Sequence, residues 1–176
     1  MKLPILIIGA GGHAAVVADA LLAAGERVLG FTNTDTARHD RVVCGLHVLG
    51  DDRVLDAHTP DTLTLANGLG GVGSVAARLT MQQRLQARGW RFVDVRHPAA
   101  LVSRFALVHD GAQLLAASVV DVAIGARSHI GAGAIVRQGI RLGEETVVGA
   151  GAVVVRDFAG GGLLIGVPAY PVEHDL

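Results

Sequence analysis

The sequence predicts a Rossmann-like α/β domain followed by a parallel β-helix, and three observations lead to this prediction. Strand-like and helix-like segments alternate through the first half, a glycine-rich turn follows the first strand, and aliphatic residues recur at every sixth position of the second half. A period of six fits neither a helix nor a simple strand, and hexapeptide arrays are typical of stacked β-helix coils. The 176 residues, 51% of them hydrophobic, can form one sizeable core or two small ones.

The first half has the element order of a parallel sheet with crossover helices. An apolar strand at residues 4–8 leads through the glycine-rich turn into a helix over residues 13–24, which Gly25 ends. A second helix is predicted over residues 74–88 and ends at Gly89. Further strands are predicted at residues 27–31, 63–66 and 91–95, with an extended segment at 42–49 and a helical turn at 51–57.

The turn after the first strand carries the first chemical signal. Gly9, Gly11 and Ala14 match the pattern G-x-G-x-x-A, in which bare amides at a helix N-terminus can face a phosphate or a sugar ring. A dinucleotide site also needs an acidic residue after the second strand, and Asp35 lies slightly late for that role. Gly68 follows a later strand at the same sheet edge, which favours a nucleotide-type pocket. The alternative is a tight turn without a ligand.

The hexad repeat predicts the second domain. Small residues take the corner positions, where glycine tolerates backbone angles that other residues avoid, and a disordered stretch would not keep such a period. The hinge lies at His97-Pro98, because a residue before proline favours extended geometry. We therefore expect domains at residues 1–97 and 98–176. Between Val120 and Ile124 the step is four residues. The aliphatic positions expected to point inward are Val102, Val108, Leu114, Val120, Ile124, Ile130, Val136, Leu142, Val148 and Val154.

Composition excludes several classes of function. The net charge is −1 without a Lys/Arg cluster, so neither a nucleic-acid nor an anionic-membrane surface is indicated. The single cysteine, Cys44, cannot form a disulfide within the chain, which fits a cytoplasmic protein. The apolar run near the N-terminus continues into the glycine-rich turn and a helix, so we do not expect it to be a secretory signal or a membrane span. The eight histidines and one cysteine show no metal-ligand spacing.

Short motifs along the whole chain point to a known family. In chain order they are residues 7–14 (IIGAGGHA), 67–70 (NGLG), 97–103 (HPAALVS), the hexads, 149–152 (GAGA) and 166–169 (GVPA). Together they resemble the bacterial sugar O-acyltransferases that include sialic acid O-acetyltransferases and UDP-amino-sugar N-acetyltransferases. The resemblance covers nearly all 176 residues.

This resemblance implies a homotrimer of left-handed β-helices, each with a Rossmann-like domain that holds a nucleotide-linked sugar or a sialic-acid-like acceptor. Acetyl-CoA would lie along the β-helix between subunits and transfer its acetyl group to an amine or a hydroxyl. Family members commonly have acidic residues where this chain has Asn33-Thr34, and a basic residue where this chain has Tyr170. By match, the acceptor site would contain Gly9, Gly11, Gly12, His13 and Gly68, and the acetyl-CoA site Gly131, Ala132, Gly149 and Gly151.

The resemblance also predicts a general-base histidine beside a carboxylate in one hexad, and no hexad here has a histidine at that position. The resemblance suggests a chain shortened by about two coils near the four-residue step. His129 is the best substitute, although Ser128 stands beside it instead of a carboxylate, and His109 before Asp110 lies in an early coil. Two functions stay open: acetyl transfer with an impaired base, or a non-catalytic nucleotide-sugar-binding or structural member. A nicotinamide-binding protein would leave the hexads unexplained.

Overall fold

The computed structural model describes residues 2–70, 75–120 and 123–172. The chain divides into two compact units, Met1–Val93 and Asp94–Leu176. The sequence-based boundary at residue 97 lies slightly later than this division. Within the described ranges, no helix combines the length and apolar character needed to cross a membrane.

The first unit is a sheet with helices between its strands. The sheet has the order β3-β4-β2-β1-β5, and its pairs are parallel except for the hairpin of β3 and β4. This is the predicted Rossmann-like arrangement, with the first strand inside the sheet. The elements are β1 Ile5–Ile8, α1 Gly12–Ala23, β2 Val28–Thr32, a 3₁₀ helix Thr36–Arg38, β3 Val42–Val43, β4 Leu46–Gly50, a 3₁₀ helix Asp52–Ala57, β5 Thr64–Asn67 and α2 Val75–Ala87.

Two predicted strands differ in the structure. The segment predicted as one strand over residues 42–49 is a hairpin, because Cys44 and Gly45 both take positive φ angles, +50° and +75°, as a tight turn between antiparallel strands requires. Residues 91–95 do not form a strand of this sheet. Phe92 makes only an isolated bridge to Leu65, and Val95 belongs to the second unit.

The second unit is a left-handed parallel β-helix of two- and three-residue strands. From β6 to β16, strands three apart in the chain pair with each other, and β17 and β18 then extend the first face. The three faces are β6-β9-β12-β15-β17-β18, β7-β10-β13-β16 and β8-β11-β14. All pairs are parallel except β17 with β18. The strands are β6 Val95–Arg96, β7 Leu101–Val102, β8 Leu107–Val108, β9 Gln113–Leu114, β10 Val119–Val120, β11 Ala123–Ile124, β12 His129–Ile130, β13 Ile135–Val136, β14 Arg141–Leu142, β15 Val147–Val148, β16 Val153–Val154, β17 Leu163–Ile165 and β18 Tyr170–Val172.

The aliphatic residues of the hexads fill the interior of this β-helix, as predicted. The eight from Leu114 to Val154 are at most 3% exposed, while Val102 and Val108 at its beginning are partly buried. Burial of such side chains supplies most of the stabilisation of a fold with so few residues per strand.

The four-residue step is accommodated within one coil. Leu101 pairs with Val119, 18 residues later, whereas Val119 pairs with Ile135, only 16 residues later. Pairing continues on both sides of the step, and Val120 and Ile124 are both buried. The broken period is therefore one shortened coil, and the sheets do not need an additional coil at this point to stay in register.

Candidate functional site

The glycine-rich turn leaves open space in front of helix α1. Gly11 and Gly12 are exposed, and a Cβ atom at either would meet no described atom within 4 Å. Gly11 is the N-cap, with no side-chain hydrogen bond to the helix, and the first turn of α1 contains no acidic residue. No capping side chain and no acidic residue of the first turn therefore offsets the positive end of the helix dipole, which makes this terminus suitable for an anion.

The loop after β5 closes one side of this turn. Gly9 has a φ of +103°, and a Cβ atom there would lie 2.9 Å from Leu69 Cδ1. Farther along the loop, a Cβ atom at Gly70 would lie 3.3 Å from His13 Cβ. The structure thus brings Gly9, His13 and the residue 67–70 loop together, as the predicted acceptor site requires.

Gly68 has a packing role in the same loop. It is buried, and a Cβ atom there would lie 2.7 Å from Ile7 Cγ2 and 2.8 Å from the Ile8 carbonyl oxygen. Its amide donates to that same carbonyl at 2.9 Å. Close approach of two backbone segments explains this glycine, and its contact with an acceptor stays a prediction.

Two buried side chains, Asn67 and Arg78, clamp the loop; Asn67 belongs to the motif at residues 67–70, whereas Arg78 lies outside every sequence motif. Asn67 Oδ1 accepts a hydrogen bond from the Leu69 amide at 3.1 Å, and Arg78 Nη1 donates to the Leu69 carbonyl at 2.8 Å. Asn67 Nδ2 also donates to the Arg78 carbonyl at 3.2 Å and to Gln82 Oε1 at 2.9 Å. In the sequence, Arg78 and Gln82 look like ordinary polar residues of a helix, so no local signal indicates their burial.

The other side of the turn carries a second basic residue. Arg38 Nη1 lies 3.5 Å from the Ala10 carbonyl oxygen, and Arg38 Nε lies 3.4 Å from Asp35 Oδ2. Asp35 also accepts from the Ala37 amide at 3.0 Å and so caps the 3₁₀ helix. The residue considered for a dinucleotide ribose is thus held by local contacts.

The stacking of neighbouring coils largely explains the glycines at the positions predicted for the acetyl-CoA site. Gly131, Gly149 and Gly151 donate their amides to carbonyls of the neighbouring coils at 2.8–2.9 Å. A Cβ atom at Gly131 would lie 2.6 Å from the Ala150 nitrogen, while one at Gly151, where φ is +68°, would meet no described atom within 4 Å. Gly151 and Ala132 are exposed. A pantetheine arm could therefore lie over this small-residue surface, but not by hydrogen bonds from these three amides.

His129 lies in the outer side-chain row of the face that contains β12. Its neighbour Ile130 points into the core, and His129 is nevertheless only 8% exposed. In register with it on the adjacent strands are Gln113 and Val147, both buried. His129 Nδ1 lies 3.2 Å from Gln113 Oε1. Since a carbonyl oxygen can only accept, a hydrogen bond from the neutral ring in this contact places the proton on Nδ1 and the lone pair on Nε2.

Two other histidines considered in the sequence, His97 and His109, have a local role or lie at the surface. His97 Nδ1 accepts from the Ala99 amide at 2.9 Å and so stabilises the predicted hinge turn. His109 is exposed in an early coil. No group of three or more metal-binding side chains occurs among the residues that the structure describes.

Family models match both parts of the chain. The model described as the PglD N-terminal domain matches residues 4–85, and the one described as the hexapeptide repeat of succinyl-transferase matches residues 121–156. A search of curated proteins finds no match.

Solved structures match over nearly the full length. One is a mutant of the GDP-perosamine N-acetyltransferase from Caulobacter crescentus in complex with CoA and GDP-perosamine, with 30% identity, 97% coverage of both chains and a TM-score of 0.66. The chain belongs to the bacterial hexapeptide-repeat sugar acyltransferases. The acetyltransferase domain of PglB from Neisseria gonorrhoeae, in complex with acetyl coenzyme A, is 26% identical over 98% of this chain and 100% of that chain, with a TM-score of 0.69. WeeI from Acinetobacter baumannii shares the fold, at 15% identity and a TM-score of 0.61.

These matches confirm the predicted family and the predicted combination of a Rossmann-like domain with a left-handed β-helix. The proteins in these two matched structures are acetyltransferases, one bound to acetyl coenzyme A and the other to CoA and GDP-perosamine, which agrees with the predicted class of function and cosubstrate. The individual site residues, His129 among them, stay predictions.

Proposed function

We propose that this acyltransferase transfers the acetyl group of acetyl-CoA to an amine or hydroxyl of a nucleotide-linked sugar. The observation that carries the proposal is the match, at 30% identity over 97% of both chains, to an N-acetyltransferase with CoA and GDP-perosamine bound. The open N-terminus of α1 supports it, because a nucleotide-linked sugar carries phosphates and a helix N-terminus attracts them. The acceptor then lies at Gly9, Gly11, Gly12 and His13, with Arg38 beside them.

The reaction needs little covalent chemistry from the protein. A bond forms from the acceptor nitrogen or oxygen to the acetyl carbon, the carbon–sulfur bond breaks, and a proton moves from the acceptor to the sulfur. His129 is the proposed carrier of that proton, since an imidazole can take up and release a proton near neutral pH and the neutral ring that donates to Gln113 from Nδ1 has its lone pair on Nε2. The small exposed residues Ala132 and Gly151 are the proposed floor for the pantetheine arm.

We further propose a homotrimer in the cytoplasm, with the donor site between copies of the β-helix. Three large apolar side chains of the first coils support an interface: Leu101, Phe105 and Leu107 are 67%, 83% and 64% exposed. Large apolar side chains with this exposure would lose contact with water at an interface between copies. Light scattering after gel filtration tests this, and a monomer at micromolar concentration would contradict it.

Turnover tests the function itself. The full chain is mixed with acetyl-CoA and either a GDP-linked or a UDP-linked amino sugar, and release of the CoA thiol is followed by a colour reagent. We expect release only when an acceptor is present. If acetyl-CoA does not bind in calorimetry, the proposal fails. If both ligands bind without turnover, the non-catalytic alternative replaces it.

The base is tested by His129→Gln, which keeps a hydrogen-bonding side chain opposite Gln113 but cannot carry the proton. We expect a loss of turnover of about 100-fold or more with unchanged acetyl-CoA binding. His109→Gln is the matched control, because His109 is exposed in an early coil, and it should act like the wild type. Equal turnover in both variants would exclude His129 as the base.

A further inference from the structure

The guanidinium of Arg78 is a buried charge with unused donors. The residue is 1% exposed, and Nη1 donates to the Leu69 carbonyl. Nε and Nη2 have no hydrogen-bond partner among the residues that the structure describes. Burial lowers the pKa of Arg78 to about 10, so the side chain still carries its charge at neutral pH.

Such an arrangement is costly for folding. A buried charge without an opposite charge beside it is strongly unfavourable, and an apolar side chain at the same helix position would avoid this cost in folding free energy. Buried groups with unused hydrogen-bonding capacity therefore often serve a site, not stability.

The position of Arg78 connects it to the acceptor turn. Its hydrogen bond fixes Leu69, and Leu69 Cδ1 packs over Gly9, the first residue of the turn. On the other side of that turn, Gly11 is the N-cap of α1 and offers no capping side chain, and the first turn of the helix contains no acidic residue. The buried charge and the helix terminus add potentials of the same sign at this edge of the sheet.

We propose that Arg78 is a positioning residue of the acceptor site, which holds the residue 67–70 loop against the glycine-rich turn and supplies an unneutralised positive charge for an acceptor that carries a nucleoside diphosphate. Arg78 acts through Leu69 and through its field, without touching the acceptor. This inference rests on the proposed function, which puts the acceptor at the turn.

The experiment uses GDP and UDP as probes, titrated calorimetrically into the full-length protein, with acetyl-CoA as the ligand of the other unit. Arg78→Met removes the charge and keeps much of the side-chain length. We expect an unchanged or higher melting temperature, because an apolar group replaces a buried charge. The Kd for the nucleoside diphosphate should rise about tenfold or more, since a displaced binding loop is costly, and the Kd for acetyl-CoA should stay the same.

Two further variants separate charge from packing. Arg78→Lys keeps the charge and one donor, so it should restore part of the affinity and its salt dependence. Arg84→Met, on the same helix, removes an exposed arginine that pairs with Asp52 at the surface, and it should bind nucleoside diphosphates like the wild type.

The outcomes distinguish the two proposals. If the wild type binds neither GDP nor UDP, the proposed acceptor site is wrong and this inference falls with it. If the wild type binds and Arg78→Met binds equally well, only the inference is wrong. If Arg78→Met melts earlier and weakens both ligands alike, Arg78 is merely structural and the inference is again refuted.

Discussion

Gly68 and Gly12 lie in the same region, and the structure predicts opposite effects for an added methyl group. A Cβ atom at Gly68 would lie 2.7 Å from Ile7 Cγ2, 2.8 Å from the Ile8 carbonyl oxygen and 2.9 Å from Ala14 Cβ. Three contacts well inside van der Waals distance, one of them with a backbone oxygen, cannot be relieved by a change of rotamer. We expect Gly68→Ala to destabilise the first unit by about 1–3 kcal/mol, and each kcal/mol lowers the melting temperature by roughly 4–8 °C in a unit of this size.

Gly12→Ala is the matched control for stability. Gly12 is the first residue of α1, and its Cβ atom would meet no described atom within 4 Å. The substitution should leave the stability unchanged or raise it by about 0.4–1 kcal/mol, because alanine restricts the unfolded chain. The added methyl group would however enter the space in front of the helix, so the Kd for GDP or UDP should rise several-fold.

Thermal unfolding, monitored by circular dichroism, measures the stability of each variant. Calorimetric titration of the folded variants measures their nucleotide affinity. The expected pattern is crossed: Gly68→Ala loses stability, and Gly12→Ala loses nucleotide affinity at full stability. A Gly68→Ala protein that melts like the wild type would refute the packing argument. A Gly12→Ala protein that binds like the wild type would exclude the turn as an acceptor contact.

Three other residues give shorter tests. Ile130→Ala empties a fully buried position of the β-helix and should cost about 2–5 kcal/mol in denaturant unfolding, whereas Ile135→Ala, at 41% exposure, should cost much less; equal costs would contradict the assigned inward row. The hydrogen bond from the Arg53 side chain holds the pKa of the Asp51 carboxyl below its ordinary value, so the stability that this contact contributes is present above that ordinary value and is lost as pH falls through the lower folded value. Arg53→Ala should raise this pKa toward its ordinary value in an NMR titration. Arg38→Ala should weaken nucleoside diphosphate binding roughly two- to fivefold at low salt and have less effect at high salt, and no salt dependence would argue against a phosphate there.

The β-helix could be predicted in detail because its geometry acts on every coil. Each inward position must be filled by an aliphatic side chain, so residues such as Ile124 and Val148 repeat a requirement that the sequence shows directly. The four-residue step was visible for the same reason. Its structural consequence, a 16-residue coil that keeps all three faces in register, follows only from the pairing of strands that are distant in the chain.

The acceptor site could be predicted only in part. The turn at Gly9 and Gly11 has a local pattern, because a strand must pass into a helix within a few residues. Arg78 has none: its burial depends on Leu69, which the fold brings to it from another segment. The position of Phe92 also depends on contacts between distant segments. The apolar residues around it resemble a strand in the sequence, but Phe92 packs into the core and forms only an isolated bridge to Leu65.

Variants at His129 and at its hydrogen-bonding partner Gln113 can decide whether His129 serves catalysis or packing. Both side chains are buried in a row that also contains Val95, Val147 and Leu163, so the pair lies among apolar neighbours. His129→Leu removes the donor from Gln113 Oε1 and should cost about 1–3 kcal/mol.

Adding Gln113→Leu to His129→Leu should recover most of that stability, because two apolar side chains of similar shape replace both partners. If His129 is the base, turnover stays lost in the stable double variant, since no leucine can take a proton from the acceptor. If turnover returns together with stability, the histidine serves only as a hydrogen-bonding partner within an apolar row, and the proton of the acceptor must leave by another path. The comparison separates the two roles because leucine can restore the packing of the row but cannot take up a proton.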